Sequence, residues 1–301
     1  MFSRRHPYLF SIIILSSAVA VAMICVSVLF AVGMKHSNFV GFDTISGEKV
    51  GVIEITGVIA DCKDIIHNLK QFRENDAIKA IVLRINSPGG GVGPSQEIFR
   101  EVRKTVEKKK IVASMGSVAA SGGYYIAAGA DGIVANPGTI TGSIGVIMGY
   151  TNFKRLLDKI GLVPVVIKSG EYKDMGSPVR DMKKEERQIL ENFAKKIHRQ
   201  FIMDIAEGRK MDQDKVESIA DGRIFTGEES INLGLVDRLG NLEDAIEWAG
   251  RLGGIKGNVS AVYPREKKFS IFQYIVESST KKLKNIVTNP SLSAGYIYCP
   301  K

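Results

Sequence analysis

The segment AIKAIVLRI, residues 77–85, constrains the fold more than any other, because its apolar run from Ile81 to Ile85 scarcely alternates. A strand with one wet face alternates polar and apolar residues. A near-continuous run suits a strand covered on both faces, as in a parallel sheet carrying helices on either side. The surrounding sequence fits that layout. Residues 49–60, KVGVIEITGVIA, read as a buried strand with a turn at Gly57, and a helix is expected near Asp64 to Glu74. Gln96 to Lys109 places Ile98, Phe99, Val102 and Val106 at helical spacing. Its basic end, Lys104 and Lys108 to Lys110, complements a helix C-terminus or is simply a solvated face. Ile111 to Ser114 is a third short strand, and a small-residue helix begins near Ser121. Strand, helix and strand in alternation predict an α/β fold of parallel βαβ units with right-handed crossovers.

Further along, residues 131–149 form short apolar pieces and turns, and LVPVVI at 162–167 predicts another strand. Asp181 to Glu207 is expected to be a long amphipathic helix, with Ile189, Phe193, Ile197, Phe201 and Ile205 on one stripe. Asn241 to Arg251 is the last well-marked helix. Beyond Gly257 the chain turns basic, with an amphipathic helix expected over Phe269 to Val287 and a tail from Asn289.

Two compositional features narrow the setting. From Pro7 to Met34 there is no Asp, Glu, Lys or Arg, a run longer than the roughly 20 residues a helix needs to span a bilayer. Arg4, Arg5 and His6 precede it and Lys35 and His36 follow, so the positive-inside rule favours an N-terminus in the cytoplasm. Ala18-Val19-Ala20 offers a signal-cleavage site as the competing reading, but the apolar run continues past it. The expected organisation is a cytoplasmic start and transmembrane anchor at 1–35, a linker at 36–48, a folded domain at 49–256 and an extension at 257–301 that contacts a second subunit or the membrane. The net charge of +9 is spread among 32 acids without a nucleic-acid signature, and reads as solubility with attraction to a membrane surface. Cys25, Cys62 and Cys299 are too few and scattered for a metal site or a disulfide framework; only Cys62 and Cys299 are able to pair.

In open parallel sheets, the loops at the strand C-termini build sites. Here those loops carry NSPGGG and MGSVAASGG, and neither 86–95 nor 114–130 contains an Asp or Glu. Carboxylate acid–base chemistry is thereby disfavoured. His67 and His198 lie in expected helices, so a Ser-His-Asp triad is poorly supported as well. What remains is serine, glycine and backbone amide. Ser121, where a strand turns into a helix, suits either a nucleophile or an ordinary N-cap. Gly89 to Gly91 allow a backbone N–H to be aimed at an oxyanion, while neither GxGxxG nor GxxxxGK[ST] is present to cradle phosphate. Without histidine, the base for such a serine is a neutral lysine. Lys173 is the candidate, although a loop lysine is ordinarily solvated and Glu171 and Asp174 oppose a lowered pKa if close. Ser143 is placed either to orient that lysine or simply in a turn.

Five segments, RINSPGGGV (84–92), GSVAASGGYYIA (116–127), GTITGSIGVI (138–147), SGEYKDMGSP (169–178) and GRIFTGEESINLGLVDRLG (222–240), resemble in order the signal peptide peptidase A family over about 49–250. The resemblance implies a crotonase- and Clp-protease-like α/β fold of repeated ββα units and a Ser-Lys dyad that cleaves remnant signal peptides at the membrane. It also implies Ser121 as nucleophile, Lys173 as general base, Ser143 as the residue holding the lysine, and the N–H groups of Gly90 and Gly122 as the oxyanion hole. An extended peptide substrate is expected to pair its backbone against the Gly90 to Val92 segment, with Gly91 and Val92 continuing that strand. No cofactor, metal or nucleic acid is expected. The single copy of the motifs resembles the short form of the family, implying a homo-oligomer, a ring or dome of subunits, in which the serine and lysine of one site come either from one chain or from neighbouring chains. A crotonase-type acyl-CoA enzyme, which needs carboxylates near the two loops, and an inactive membrane scaffold are the alternatives.

Overall fold

In the computed structural model of the chain, the described residues are 8, 15–25, 27–28, 48–264 and 294–297. The chain divides into two units, Met1–Gly47 and Glu48–Lys301. In the first, residues 15–25 and 27–28 are helical. The rest of the charge-free stretch lies outside the described residues, as do the expected helix at Phe269 to Val287 and Cys299. Among the described residues no helix is long and apolar enough to cross a membrane.

In the second unit the chain runs through β1 (Lys49–Thr56), α1 (Lys63–Glu74), β2 (Ile78–Ser87), β3 (Gly89–Gly91), α2 (Val92–Val106), β4 (Lys110–Ala120) and α3 (Gly122–Ala127). It continues with β5 (Gly132–Ala135), β6 (Ile140–Gly142), β7 (Ile147–Met148), α4 (Lys154–Ile160), α5 (Lys184–Arg209), α6 (Gln213–Ile219), β8 (Ile224–Thr226) and α7 (Gly227–Leu233). Last come β9 (Arg238–Leu239), α8 (Leu242–Leu252), β10 (Ser260–Val262) and β11 (Ala294–Ile297). Strands β10, β1, β2, β4, β5 and β9 lie side by side in that order, all parallel. The sheet becomes mixed at one end, where β6 pairs parallel with β4 and antiparallel with β8.

The near-continuous apolar strands are explained by cover on both faces. Val52, Val82 and Val112 are register partners across β1, β2 and β4, and with Val134 they pack beneath Ala245, Ile246 and Ala249 of α8. One residue along, Ile53, Leu83, Ala113 and Ile133 face the other way, into a core shared with Leu69 of α1, Ile98 and Val102 of α2 and Phe201 of α5. Each fully buried Val, Ile or Leu contributes about 1.5–3 kcal/mol, which fixes the register because a one-residue slip exchanges the two faces.

Several expectations shift. Helix α2 starts at Val92 rather than Gln96: Gly93 and Pro94 read as loop, but the first turn needs no intrahelical N–H donor and accepts proline. Strand β4 runs to Ala120 instead of stopping at Ser114. Residues 162–167 form no strand. Among the described residues no strand pairs with them, Pro164 lacks an N–H, and Val163 and Val165 are 84% exposed and Ile167 96%. On α5, Ile197, Phe201 and Ile205 are buried whereas Ile189 and Phe193 on the same stripe are exposed. Cys62 is a buried free thiol whose pKa burial pushes up.

Candidate active site

The long β4 delivers Ser121 to the C-terminal edge of the sheet and turns at that residue into α3. The turn is sharp. Ser121 has φ 54° and ψ −116°, a left-handed backbone that a residue with a Cβ adopts at a cost of about 1–3 kcal/mol. Two hydrogen bonds hold it there: its N–H donates to the Gly142 carbonyl at 2.8 Å, and its own carbonyl accepts from the Tyr125 N–H at 2.8 Å. Although Ser121 occupies the N-cap position, its hydroxyl does not cap the helix. The capping role that its residue type offered is therefore unused, and the strained strand-to-helix elbow is the geometry that presents a nucleophile.

Glycines 89 to 91 lie against this elbow. The Gly89 carbonyl accepts from the Ile59 N–H at 2.9 Å, and the Gly91 N–H donates to the Ile59 carbonyl at 2.8 Å. Because successive residues of an extended chain turn their peptide groups to opposite edges, Gly90 points its N–H and carbonyl away from Ile59. Only glycine fits there, since a Cβ on residue 90 would lie 2.1 Å from the Ile59 carbonyl oxygen. Gly122, the first residue of α3, has an N–H with no intrahelical acceptor. A Cβ on it would lie 2.6 Å from Ser95 Oγ and 3.2 Å from the Gly90 nitrogen. The Gly90 and Gly122 backbones thus lie close to each other beside Ser121.

The edge that Gly90 faces is paired. Strand β11 runs antiparallel to β3, with Tyr296 opposite Gly90 and Gly295 opposite Gly91, and on its other side opposes Ile147 and Met148 of β7. The extended run ends at Gly91; Val92, expected to prolong it, instead opens α2, so the extended edge is confined to Gly89–Gly91. The Gly91 carbonyl is also bound, accepting from Ser95 Oγ at 2.9 Å. Ser95 was not singled out from sequence, although its four-residue spacing from Gly91 is a helix back-bond once α2 is known to begin at Val92.

Ser143 follows β6 with φ 51°, is buried, and donates its N–H to the Arg223 carbonyl at 2.8 Å. The register Ala120 to Gly142 and the Ser121–Gly142 hydrogen bond bring the two serines to adjoining strand ends. Lys173 is placed differently. It lies exposed in the turns of 169–176, with its N–H donating to the Gly170 carbonyl at 3.2 Å, and among the described residues no side-chain hydrogen bond or ion pair joins it to Ser121 or Ser143. The acids flanking it are engaged elsewhere. Asp174 accepts from Lys168 at 2.6 Å and from Arg180 at 2.8 Å, and Glu171 pairs with Lys183 at 3.4 Å. One copy of the chain therefore brings together Ser121, Ser143, Gly90 and Gly122, and among the described residues no hydrogen bond or ion pair joins Lys173 to them.

Comparison with known proteins bears on this arrangement. The family model for peptidase family S49 matches residues 103–256, a span that includes Ser121, Ser143 and Lys173. The chain belongs to peptidase family S49. The Clp protease model matches residues 49–139 of this peptidase, which takes in β1 to β5 and the Gly90–Ser121 elbow. The peptidase is 48% identical over 216 residues to a Synechocystis protein named as a protease, covering 71% of this chain and 78% of that protein. It is 38% identical over 216 residues to an Enterococcus faecium protein named as a signal peptide peptidase SppA, covering 67% of this chain and 63% of that protein. It is 37% identical over 209 residues to the chloroplastic serine protease SPPA of Arabidopsis thaliana, covering 69% of this chain and 31% of that protein.

Proposed function

We propose that this peptidase is a membrane-anchored serine endopeptidase that degrades signal peptides after their release from preproteins. In this reading a neutral Lys173 removes the Ser121 proton as Oγ attacks the peptide carbonyl. The Gly90 and Gly122 N–H groups stabilise the tetrahedral oxyanion, each worth about 2.7–4 kcal/mol. The lysine returns the proton to the departing amine, leaving an acyl-enzyme. Water then attacks that ester, giving its proton to Lys173, and collapse of the second tetrahedral species reprotonates Ser121. Ser143 orients the lysine. The observation that carries the reading is the strained Ser121 elbow set against the adjacent Gly90 and Gly122 backbones.

The rest of the reading draws on further observations. An extended backbone already lies antiparallel on Gly89–Gly91, which supports sequence-tolerant pairing of a peptide at that edge. The exposed apolar run at 162–167, continuing the exposed Leu156 and Ile160 of α4, is suited to cover by a second copy of the chain, which would carry Lys173 to a neighbour's Ser121. The charge-free stretch from Pro7 to Met34 supports anchoring, and the flanking cations support a catalytic domain outside the cytoplasm of a bacterial cell.

Covalent labelling tests the nucleophile. Full-length protein in detergent, treated with a fluorophosphonate and digested for mass spectrometry, is expected to carry the adduct on Ser121 and to lose hydrolysis of a synthetic signal peptide in proportion to labelling. Adduct on another serine with matching loss of turnover would reassign the nucleophile. Gly90→Ala probes the oxyanion hole. The added Cβ forces Ile59 and β3 apart, with an expected fall in kcat of about 10²–10³-fold and a loss of about 1–3 kcal/mol in denaturant unfolding.

A further inference from the structure

The segment that carries Lys173 is tied down by one side chain. Arg180 donates from Nε to the Asp174 carboxylate at 2.8 Å and from Nη2 to the Asp174 carbonyl at 3.0 Å. The same guanidinium donates from Nη1 to Glu186 at 2.9 Å and to the Asp181 carbonyl at 3.0 Å, and its Nη2 makes a second bond to Glu186. Glu186 is fully buried and also accepts from the Lys183 N–H at 3.0 Å, closing the first turn of α5. A planar fork that grips two carboxylates at once is a task for arginine, which lysine performs at one carboxylate only. Arg180 holds the Glu186 carboxyl down at about 2, and Arg180 with Lys168 holds that of Asp174 well below the usual range. Both acids are therefore ionised at any working pH.

The consequence falls on the next residue. A carboxylate within about 4–6 Å of an amine favours its charged form, and each unit by which the amine pKa rises cuts its neutral fraction about tenfold. We infer that Arg180 is a positioning residue for the base: by gripping Asp174 and Glu186 it fixes the Lys173 turn to the start of α5 and keeps the Asp174 carboxylate from pairing with the lysine amine. This rests on the reading of Lys173 as general base. Among the described residues the other charges around the turn are paired or share its sign, except Glu185 in the first turn of α5, which is exposed and makes no ion pair. Lys168 bonds Asp174 and the Glu171 carbonyl, Lys183 of the α5 entrance meets Glu171, and Lys154 beside Arg155 on α4 holds Asp181. Asp174 is the acid whose release places a negative charge next to Lys173.

The test is the pH dependence of kcat/KM for a synthetic signal peptide, measured on full-length protein in detergent. In Arg180→Met the acidic limb is expected to move up by about one pH unit, so that activity below the limb drops about tenfold while the high-pH plateau is kept. Arg180→Lys is expected to move it less. The double variant Arg180→Met with Asp174→Asn is expected to bring the limb back toward its original position, a rescue that a merely structural role does not produce. Circular dichroism selects the variants that fold; if the methionine variant does not, Arg180→Lys carries the test, and an unmoved limb there overturns the inference. A uniform loss at every pH that Asp174→Asn leaves unrepaired overturns it too. Lys173→Ala measured in parallel separates the two levels. If it retains turnover, the base assignment fails; if it is inactive while the Arg180 limbs stay put, only the positioning role fails.

Discussion

Ser121→Ala is expected to lower kcat/KM for signal-peptide hydrolysis by about 10⁴- to 10⁶-fold, and Lys173→Ala by a similar factor, because a nucleophile and its base act as one unit. For the same reason the double variant is expected to lose little more than either single one. Neither change should unfold the domain. Alanine keeps the Cβ and hence the same backbone strain at φ 54°, and the lost hydroxyl caps nothing. Lys173 is exposed and its side chain makes no ion pair among the described residues, so its truncation breaks no ion pair there. Stopped peptide turnover with an unchanged thermal midpoint is the expected pair of results. Turnover by Ser121→Ala within tenfold of the parent removes the serine mechanism altogether.

What could be read without the structure divides along a physical line. Where burial on both faces dictates composition, as in β2, the residue pattern is sufficient, because only a strand sandwiched between helices tolerates Ile81 to Ile85 in succession. The Ser121, Gly90 and Gly122 constellation was visible as residue types, but its decisive quantity, the left-handed dihedral at Ser121, was not. The same Ala-Ser-Gly sequence serves equally well as an N-cap. Apolar residues at 162–167 have strand composition and, among the described residues, no strand to pair with, which no local pattern reveals. Arg180 and Glu186 escaped notice because a six-residue spacing matches neither a helical face nor a known motif; it acquires meaning only when the chain folds back from the 169–176 turns onto the start of α5. The short β11 was illegible for a related reason, since pairing with β3 is a long-range event that four residues do not announce.

The position of Lys173 makes the other large prediction. Val165→Asp with Ile167→Asp is expected to dissociate the proposed assembly and reduce turnover at least about 10²-fold, while the isolated chain stays folded. Both side chains stand in solvent, so charging them costs the folded chain nothing that it had gained by burial. Against a second copy the same positions would each contribute about 1.5–3 kcal/mol, and burying a carboxylate costs more than the methyl groups it replaces, so the pair should weaken association by about 10²–10⁴-fold or beyond. Light scattering on the detergent-solubilised protein reads the mass, and peptide hydrolysis reads the site. Complementation then separates a shared site from a merely stabilising contact. Ser121→Ala and Lys173→Ala proteins, inactive alone, are expected to regain activity when unfolded and refolded together, because random assembly pairs an intact serine with a neighbour's intact lysine at about one site in four. If each chain instead completes its own site, every protomer in the mixture lacks one partner and no activity returns, so recovery has a single physical source: Lys173 crossing from one copy to the Ser121 of the next.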